Sequence, residues 1–328
     1  MKKTFFILGA FCISSVLISW GIFGHEHINK SSVMALPQPM QTFFYNHIDY
    51  VTQESTVPDL RKYTLADRLE NPRHFIDLEN YGAWDSLPKT MKDAKAKYDD
   101  KFLTSNGILP WFMEEMTEKL TKAFKEKRKT DILFIAADLG HYMGDAHMPL
   151  HTSANFDGQM TNQKGIHALW EAQLPEKYGN TYSFNVPEAK FIDNVHNEIW
   201  RIIAASNKLK DSLLTIDNEI RKGFTEDKIL KKDAEGKVVK NKFGSTFYSD
   251  EYAEKLNTAL KGMVERQLRK SIIDVSNLWY TAWVNAGKPD LTDLDSPELT
   301  KRNQKHYQED LELWKKGKLY GMDGEKDF

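Results

Sequence analysis

The sequence predicts an all-α fold: a single multi-helix domain with a small charged surface hairpin inserted in it. Three observations lead there. Apolar residues recur three and four apart along most of the chain, the spacing of helix faces. Alternation at period two is confined to one short stretch. No internal repeat and no clear linker divides the 328 residues, a length that buries a sizeable core as one large domain.

At the start, Lys2 and Lys3 form a basic n-region, residues 5–18 an apolar run, and Ser19 a small residue at a cleavage position, although Leu17 fits that rule less well. The apolar run is short for a membrane span. Residues 1–19 therefore read as a signal peptide and the protein as secreted or periplasmic. Cys12, the only cysteine, lies inside this peptide, and Phe11 before it does not suit a lipoprotein site. A mature chain from residue 20 has no disulfide and no thiolate metal site. Any metal must then be held by His, Asp, Glu or backbone groups, ligands that suit zinc.

Met40, Phe43, Phe44, His47, Ile48 and Val51 fall on one helix face, and Leu109, Met113, Met116, Leu120 and Phe124 on another. Residues 131–147 are apolar nearly all round in their first half, which predicts a central helix. Two long amphipathic stretches follow at about 191–224 and 252–284, with Gly287 and Pro289 ending the second. Between them, "KILKKDAEGKVVKNKF" (228–243) has two short alternating runs around a Glu-Gly turn, the charged hairpin. The domain is assigned to 20–287, and the polar composition of 288–328 predicts a loosely attached tail. The chain is 41% hydrophobic and 28% charged with net charge −2, so polyanions are not attracted over the whole surface. A phosphate-bearing substrate has to be bound locally.

The chemistry concentrates in "HYMGDAHMPLH", 141–151. His141 and Asp145 are four apart, hence on one helix face. Pro149 ends the helix near Ala146 or His147, leaving His151 on a connection that can fold back. His147 points elsewhere and reads as a helix C-terminal histidine favoured by the dipole. In "GIHALWEA", His167 and Glu171 repeat the i,i+4 pair. Upstream stand Trp20 and His25 in "WGIFGH", Asp59 in "VPDL" and His74 in "RHFIDLE". One such histidine is more often packed or on the surface than a ligand. Two i,i+4 His/carboxylate pairs in apolar surroundings point to a metal. Phe75 and Trp84 follow His74, where an aromatic can stack on a base or meet a choline-like group; for these and for Phe23, core packing or loop anchoring is the commoner role.

Taken in order, Trp20, His25, Asp59, His74, His141, Asp145, His151, His167 and Glu171 resemble the ligand pattern of the trinuclear-zinc superfamily. That superfamily holds the bacterial zinc-dependent phospholipases C and the plant and fungal single-strand-specific nucleases. The resemblance runs through motifs from Trp20 to Glu171 and through helical character beyond. It implies three zinc ions: one on Asp59, His74, His141 and a bridging Asp145; one on His151, His167 and Glu171; one on His25, Asp145 and the amino nitrogen and carbonyl oxygen of Trp20. It implies a hydrolase of phosphoric diester bonds using zinc-bound water, with Asp59 as candidate general base beside its ligand role. Clustered cations also suit the charge that builds on a phosphodiester.

Glu171 and the cysteine-free mature chain resemble the phospholipase C branch, since the nucleases usually carry aspartate there and disulfides. The "WGIFGH" spacing resembles the nucleases. Phospholipase C-like chemistry is the first expectation and a single-strand-specific nuclease the alternative. The substrate is then a phospholipid or single-stranded nucleic acid, with no stable protein partner implied. A secreted binding protein that keeps zinc for structure is the rival of a different class. A phosphohydrolase of the His-Asp type leaves the Trp20 motif and the His167/Glu171 pair unexplained.

Overall fold

The computed structural model describes residues 21–63, 69–240 and 246–319. Residues 1–19, read from the sequence as a signal peptide, and Trp20 lie outside the described residues. Six longer helices organise the chain: α1 (Gly21–Met34), α2 (Leu109–Lys125), α3 (Lys129–His147), α4 (Val195–Arg221), α5 (Met263–Asn285) and α6 (Lys301–Lys315). Shorter helices and turns connect them, and among the described residues the only extended pairing is three isolated antiparallel bridges. No described helix is long and apolar enough to cross a membrane.

The expected central helix is α3, which packs against α1, α2 and α5. Its second half, Ala136 to His147, is buried throughout. Two glycines one turn apart let α1 approach it. A Cβ at Gly140 would overlap the Asn29 side chain, and one at Gly144 would lie 3.2 Å from His25 Nδ1. The Asn29 amide uses this closeness, donating to the carbonyls of Val51 (3.0 Å) and Ala137 (3.1 Å). The close crossing places His25 of α1 directly over the end of α3 that carries His141 and Asp145.

Three elements differ from the reading of the sequence. The face from Met40 to Val51 belongs to two helices, Met40–Tyr45 and Ile48–Glu54. The chain breaks at Asn46 and His47, yet the apolar residues on both sides reach the same core. The 252–284 stretch is likewise two helices, Asp250–Ala259 and α5, separated where Lys261 and Gly262 adopt φ of 48° and 75°. Glycine accepts that left-handed backbone at low cost. Within the described residues, 288–319 is also not a loose tail: α6 buries Asp310 and Trp314, and Leu319 after it is buried. Its anchor is a carboxylate, which a hydropathy pattern does not register. Asp310 accepts from Lys30 Nζ (3.2 Å) and Tyr45 OH (2.7 Å). Similarly, Trp314 O accepts from Asn185 Nδ2 (2.9 Å).

The hairpin is present as bridges rather than continuous strands. Lys232 pairs with Val238 around Gly236 (φ 81°), and Asp233 accepts the amides of Glu235 and Lys237. Further bridges join Lys240 to Thr246 and Leu230 to Tyr248. Tyr248 then exchanges two hydrogen bonds with the Gln173 side chain, at 2.9 and 3.1 Å. The inserted segment therefore braces the stretch that carries His167 and Glu171.

Candidate metal centre

Seven elements converge below the cleft. Asp59 comes from the short helix Val57–Tyr63 and His74 ends the 3₁₀ turn Asn71–His74. His25 comes from α1, and His141 and Asp145 from the last turns of α3. Met148 leaves the helix with extended backbone, and the 3₁₀ turn Pro149–Thr152 folds His151 back. Asn207 of α4 holds that turn by donating to Thr152 O (2.9 Å). His167 lies in Ile166–Ala168, followed directly by the π-helical turn Leu169–Gln173 that bears Glu171. Such turns often mark functional sites, because the wider ring redirects one side chain.

Eight of the nine residues singled out from the sequence are thereby brought together, in three groups of which the first two share His141: His25, His141 and Asp145; Asp59, His74 and His141; His151, His167 and Glu171. Within each group the ligand atoms lie within 4.8 Å of one another. Trp20, the ninth, is outside the described residues. All eight are buried except His167, whose side chain is 23% exposed. Asp145 sits at the junction. Its Oδ2 is 2.9 Å from His74 Nδ1 and 3.3 Å from His141 Nε2, while Oδ1 is 3.5 Å from His151 Nδ1 and 3.8 Å from His25 Nε2. Glu171 reaches His167 Nε2 at 2.6 Å and His151 Nε2 at 3.4 Å.

The outer nitrogens fix which atoms face inward. His141 Nδ1 donates to Ser55 O (2.8 Å), His151 Nδ1 to His74 O (2.7 Å) and His167 Nδ1 to Phe156 O (2.8 Å). A carbonyl only accepts, so each ring presents Nε2 as a lone pair unless it takes an extra proton. His151 and His167 then point two such nitrogens at each other across 3.3 Å. Two lone pairs at that distance repel, so a proton on one ring or a cation between them has to intervene. The carboxylate of Asp59, fully buried, accepts no hydrogen bond among the described residues, and neither does Asp145 Oδ1. An ionised carboxylate in that position also calls for positive charge, of which Lys62 Nζ, 3.5 Å from Asp59 Oδ1, supplies part.

Electrostatics report the same demand as proton affinity. Burial opposes charge on His141, but Asp145 and Asp59 outweigh it and push its pKa up to about 9. His167 behaves likewise beside Glu171, also about 9. Against the opposing effect of burial, His141 and His151 hold the Asp145 carboxyl well below the usual range. His25 goes the other way: burial and the neighbouring His141 ring, stacked 3.8 Å away, lower it.

A cleft of about 410 Å³ opens onto the rings of His74, His151 and His167. Phe75 lines it, where core packing was the commoner expectation, while Trp84 does not. Trp84 instead packs over Lys89 Nζ, 3.4 Å from its ring centre. Phe23 stacks on His27 (3.9 Å) in a packing role, and His147 bonds Asp274 (2.8 Å) away from the cluster. The sequence reading did not single out Lys62, Asn71, Asp77, Ser105, Phe156 or Asp157, which also line the cleft. Lys62, Asn71 and Asp77 each stand three residues from a recognised ligand in sequence, while Ser105 and the neighbouring Phe156 and Asp157 come from segments with no such signal. Lys62 Nζ is 3.5 Å from Asp59 Oδ1. Asp77 is pushed up to about 6 by burial and by Glu79.

Residues 20–271 match the family described as S1/P1 Nuclease. Among curated proteins, Nuclease S1 of Aspergillus oryzae is 25% identical over 189 residues, 53% of this chain and 61% of that protein's length. The chain thus aligns with under two thirds of this relative. Among solved structures, the Alpha Toxin from Clostridium absonum aligns over 78% of this chain and 64% of its own, at 15% identity and TM-score 0.39, a likeness too loose to bear on function. With the family match spanning most of its length, including every residue of the buried cluster, the chain belongs to the S1/P1 nuclease family.

Proposed function

We propose that the protein is a secreted, zinc-dependent phosphodiester hydrolase of the nuclease type, acting on single-stranded nucleic acid. The observation that carries this reading is the buried His/carboxylate cluster at the floor of an aromatic-lined cleft, in a chain of the S1/P1 nuclease family. The family match favours the nuclease arm over the phospholipase arm that the sequence placed first.

The residues fit zinc. Imidazole nitrogens and carboxylate oxygens are its preferred donors in the absence of cysteine. Asp59, which accepts no hydrogen bond among the described residues, and the facing Nε2 atoms of His151 and His167 are groups that a divalent cation would satisfy. One ion would rest on Asp59, His74, His141 and Asp145, a second on His151, His167 and Glu171. A third would rest on His25 and Asp145 with the Trp20 amino terminus, and the family match begins at residue 20. Bound zinc acidifies water and neutralises charge on phosphoryl oxygens.

The chain's own residues supply the rest. Asp59, beside the cleft lysine, is placed to take a proton at a carboxylate oxygen. Lys62 offers its ammonium to a phosphate oxygen at the cleft wall. Phe75 and Phe156 give ring faces on which unpaired bases stack, and a duplex would have to unstack to use them. Glu171 and the cysteine-free mature chain favour the phospholipase reading, so lipid belongs in the test. Zinc-loaded protein beginning at Trp20 is assayed on single-stranded DNA, duplex DNA and phosphatidylcholine vesicles. Preferential hydrolysis of the single strand is expected. Turnover of the lipid alone would replace this reading with the phospholipase one, and turnover of none would leave a zinc-containing binding protein.

A further inference from the structure

His74 is held differently from the other inward-facing histidines. His141, His151 and His167 give Nδ1 to backbone carbonyls and turn Nε2 inward. His74 turns Nδ1 inward, 2.9 Å from Asp145 and 3.1 Å from His141 Nε2, so its Nε2 faces the protein behind. The group found there is a carboxylate: Glu70 Oε1, fully buried and one helical turn earlier in the chain, lies 3.4 Å from His74 Nε2, an ion-pair contact rather than a formed hydrogen bond.

Glu70 cannot swing away. Its carboxylate accepts from Arg61 Nε (3.0 Å), Arg73 Nη1 (2.9 Å) and Tyr142 OH, and Arg61 is itself fixed by Asp138 (2.6 Å). Two arginines and two carboxylates make this group neutral overall, so Glu70 keeps its own charge while the set as a whole is balanced. Burying two carboxylates against two partly buried arginines is poor value for stability alone, since apolar packing of equal volume usually does as well. Behind a metal-ligating imidazole the same carboxylate has a use: it fixes the ring tautomer and makes the inward nitrogen a stronger donor.

We propose that Glu70 is a positioning residue that holds His74 with Nδ1 directed into the cluster, and so sets the affinity of the Asp59/His74/His141 position for its cation. The inference rests on the metal reading proposed above. Neither Glu70 nor the arginines belong to the ligand groups or to the cleft lining.

The test compares wild type, Glu70→Gln and Arg73→Gln, all purified without chelator. It measures zinc per chain, zinc release to a competing chelator, and the visible spectrum after cobalt(II) replacement. Glu70→Gln keeps size and an acceptor oxygen but removes the charge. It is expected to weaken one ion by about 10- to 100-fold, alter the cobalt bands of that ion, and leave the others in place. Arg73→Gln, which leaves the carboxylate beside His74, is expected to bind like wild type. Zinc retention by Glu70→Gln equal to wild type overturns the proposal. Equal losses in both variants also overturn it, because the network would then act through general stability. Should circular dichroism show Glu70→Gln unfolded, Glu70→Asp is measured instead; it withdraws the charge by one methylene, and unchanged affinity there counts against the proposal. Wild-type protein without zinc would overturn the metal reading itself, a result separate from any difference between variants.

Discussion

Asp145 is the residue on which the others depend. Its two oxygens face four histidines, two on each side, whereas Glu171 faces only two. Asp145→Asn keeps the shape and removes the charge shared between groups. It is expected to reduce turnover by more than about 100-fold, the upper range for outer-shell changes alone, and to release more zinc than Glu171→Gln. Parallel assays and metal analyses of the two variants check this, and near-normal turnover by Asp145→Asn would remove its bridging role.

The histidines give a pH prediction for the chelator-treated protein. His141 and His167 each titrate near 9 in the folded state, above the 6.5 of an unfolded histidine. Their contribution to stability is fully present below about pH 6.5 and is lost as pH rises through about 9. The buried His25, shifted downward, titrates on the acid side and does not blur this window. The melting temperature of metal-free protein should therefore fall between pH 6.5 and 9. With zinc bound the same nitrogens are occupied, and the fall should disappear. A metal-free profile flat across that range would contradict the electrostatic account.

Among elements, the crossing of α1 over α3 matters most, because it brings His25 to the cluster. Gly140→Ala would drive a methyl group into Asn29 and disturb its two bonds to Val51 O and Ala137 O. Overpacking plus displaced hydrogen bonds should cost on the order of 3 kcal/mol, read by chemical denaturation. Gly144→Ala is subtler. Its Cβ would press on the His25 ring at 3.2 Å, so the ring must give by a few tenths of an ångström. Loss of the ion assigned to His25, with the other ions retained and stability near normal, is expected from zinc analysis.

The C-terminal helix supports the same crossing from the opposite side. Asp310 of α6 pairs with Lys30 of α1, their side chains 5% and 10% exposed. Removing the carboxylate in Asp310→Ala strands a buried ammonium, which should cost on the order of 3 kcal/mol. An unchanged denaturation midpoint would mean α6 is as loosely attached as its polar composition suggested.

Across the whole molecule, the parts legible from sequence are those written in local spacing. The i,i+4 pairs His141/Asp145 and His167/Glu171, and the helix stop at Pro149, put most of the cluster within reach of the sequence alone. The long helices α2, α3 and α4 follow from apolar periodicity. Breaks at Asn46–His47 and Lys261–Gly262 were not legible, because the apolar stripe runs on across both. Attachment of α6 was hidden because its anchor is an ion pair 280 residues apart in sequence. The cleft wall was hidden for a related reason: Asn71, Ser105 and Phe156 become neighbours only when the chain has folded.

Everything chemical in this account rests on the cluster holding metal, and elemental analysis of the protein processed to Trp20 and purified without chelators measures that directly. Close to three zinc ions per chain is the predicted result, falling by about one when His151 is replaced by alanine. Protein that is folded, begins at Trp20 and carries no transition metal would contradict the account, leaving Asp59, Asp145 and the facing imidazoles to be explained by protons alone.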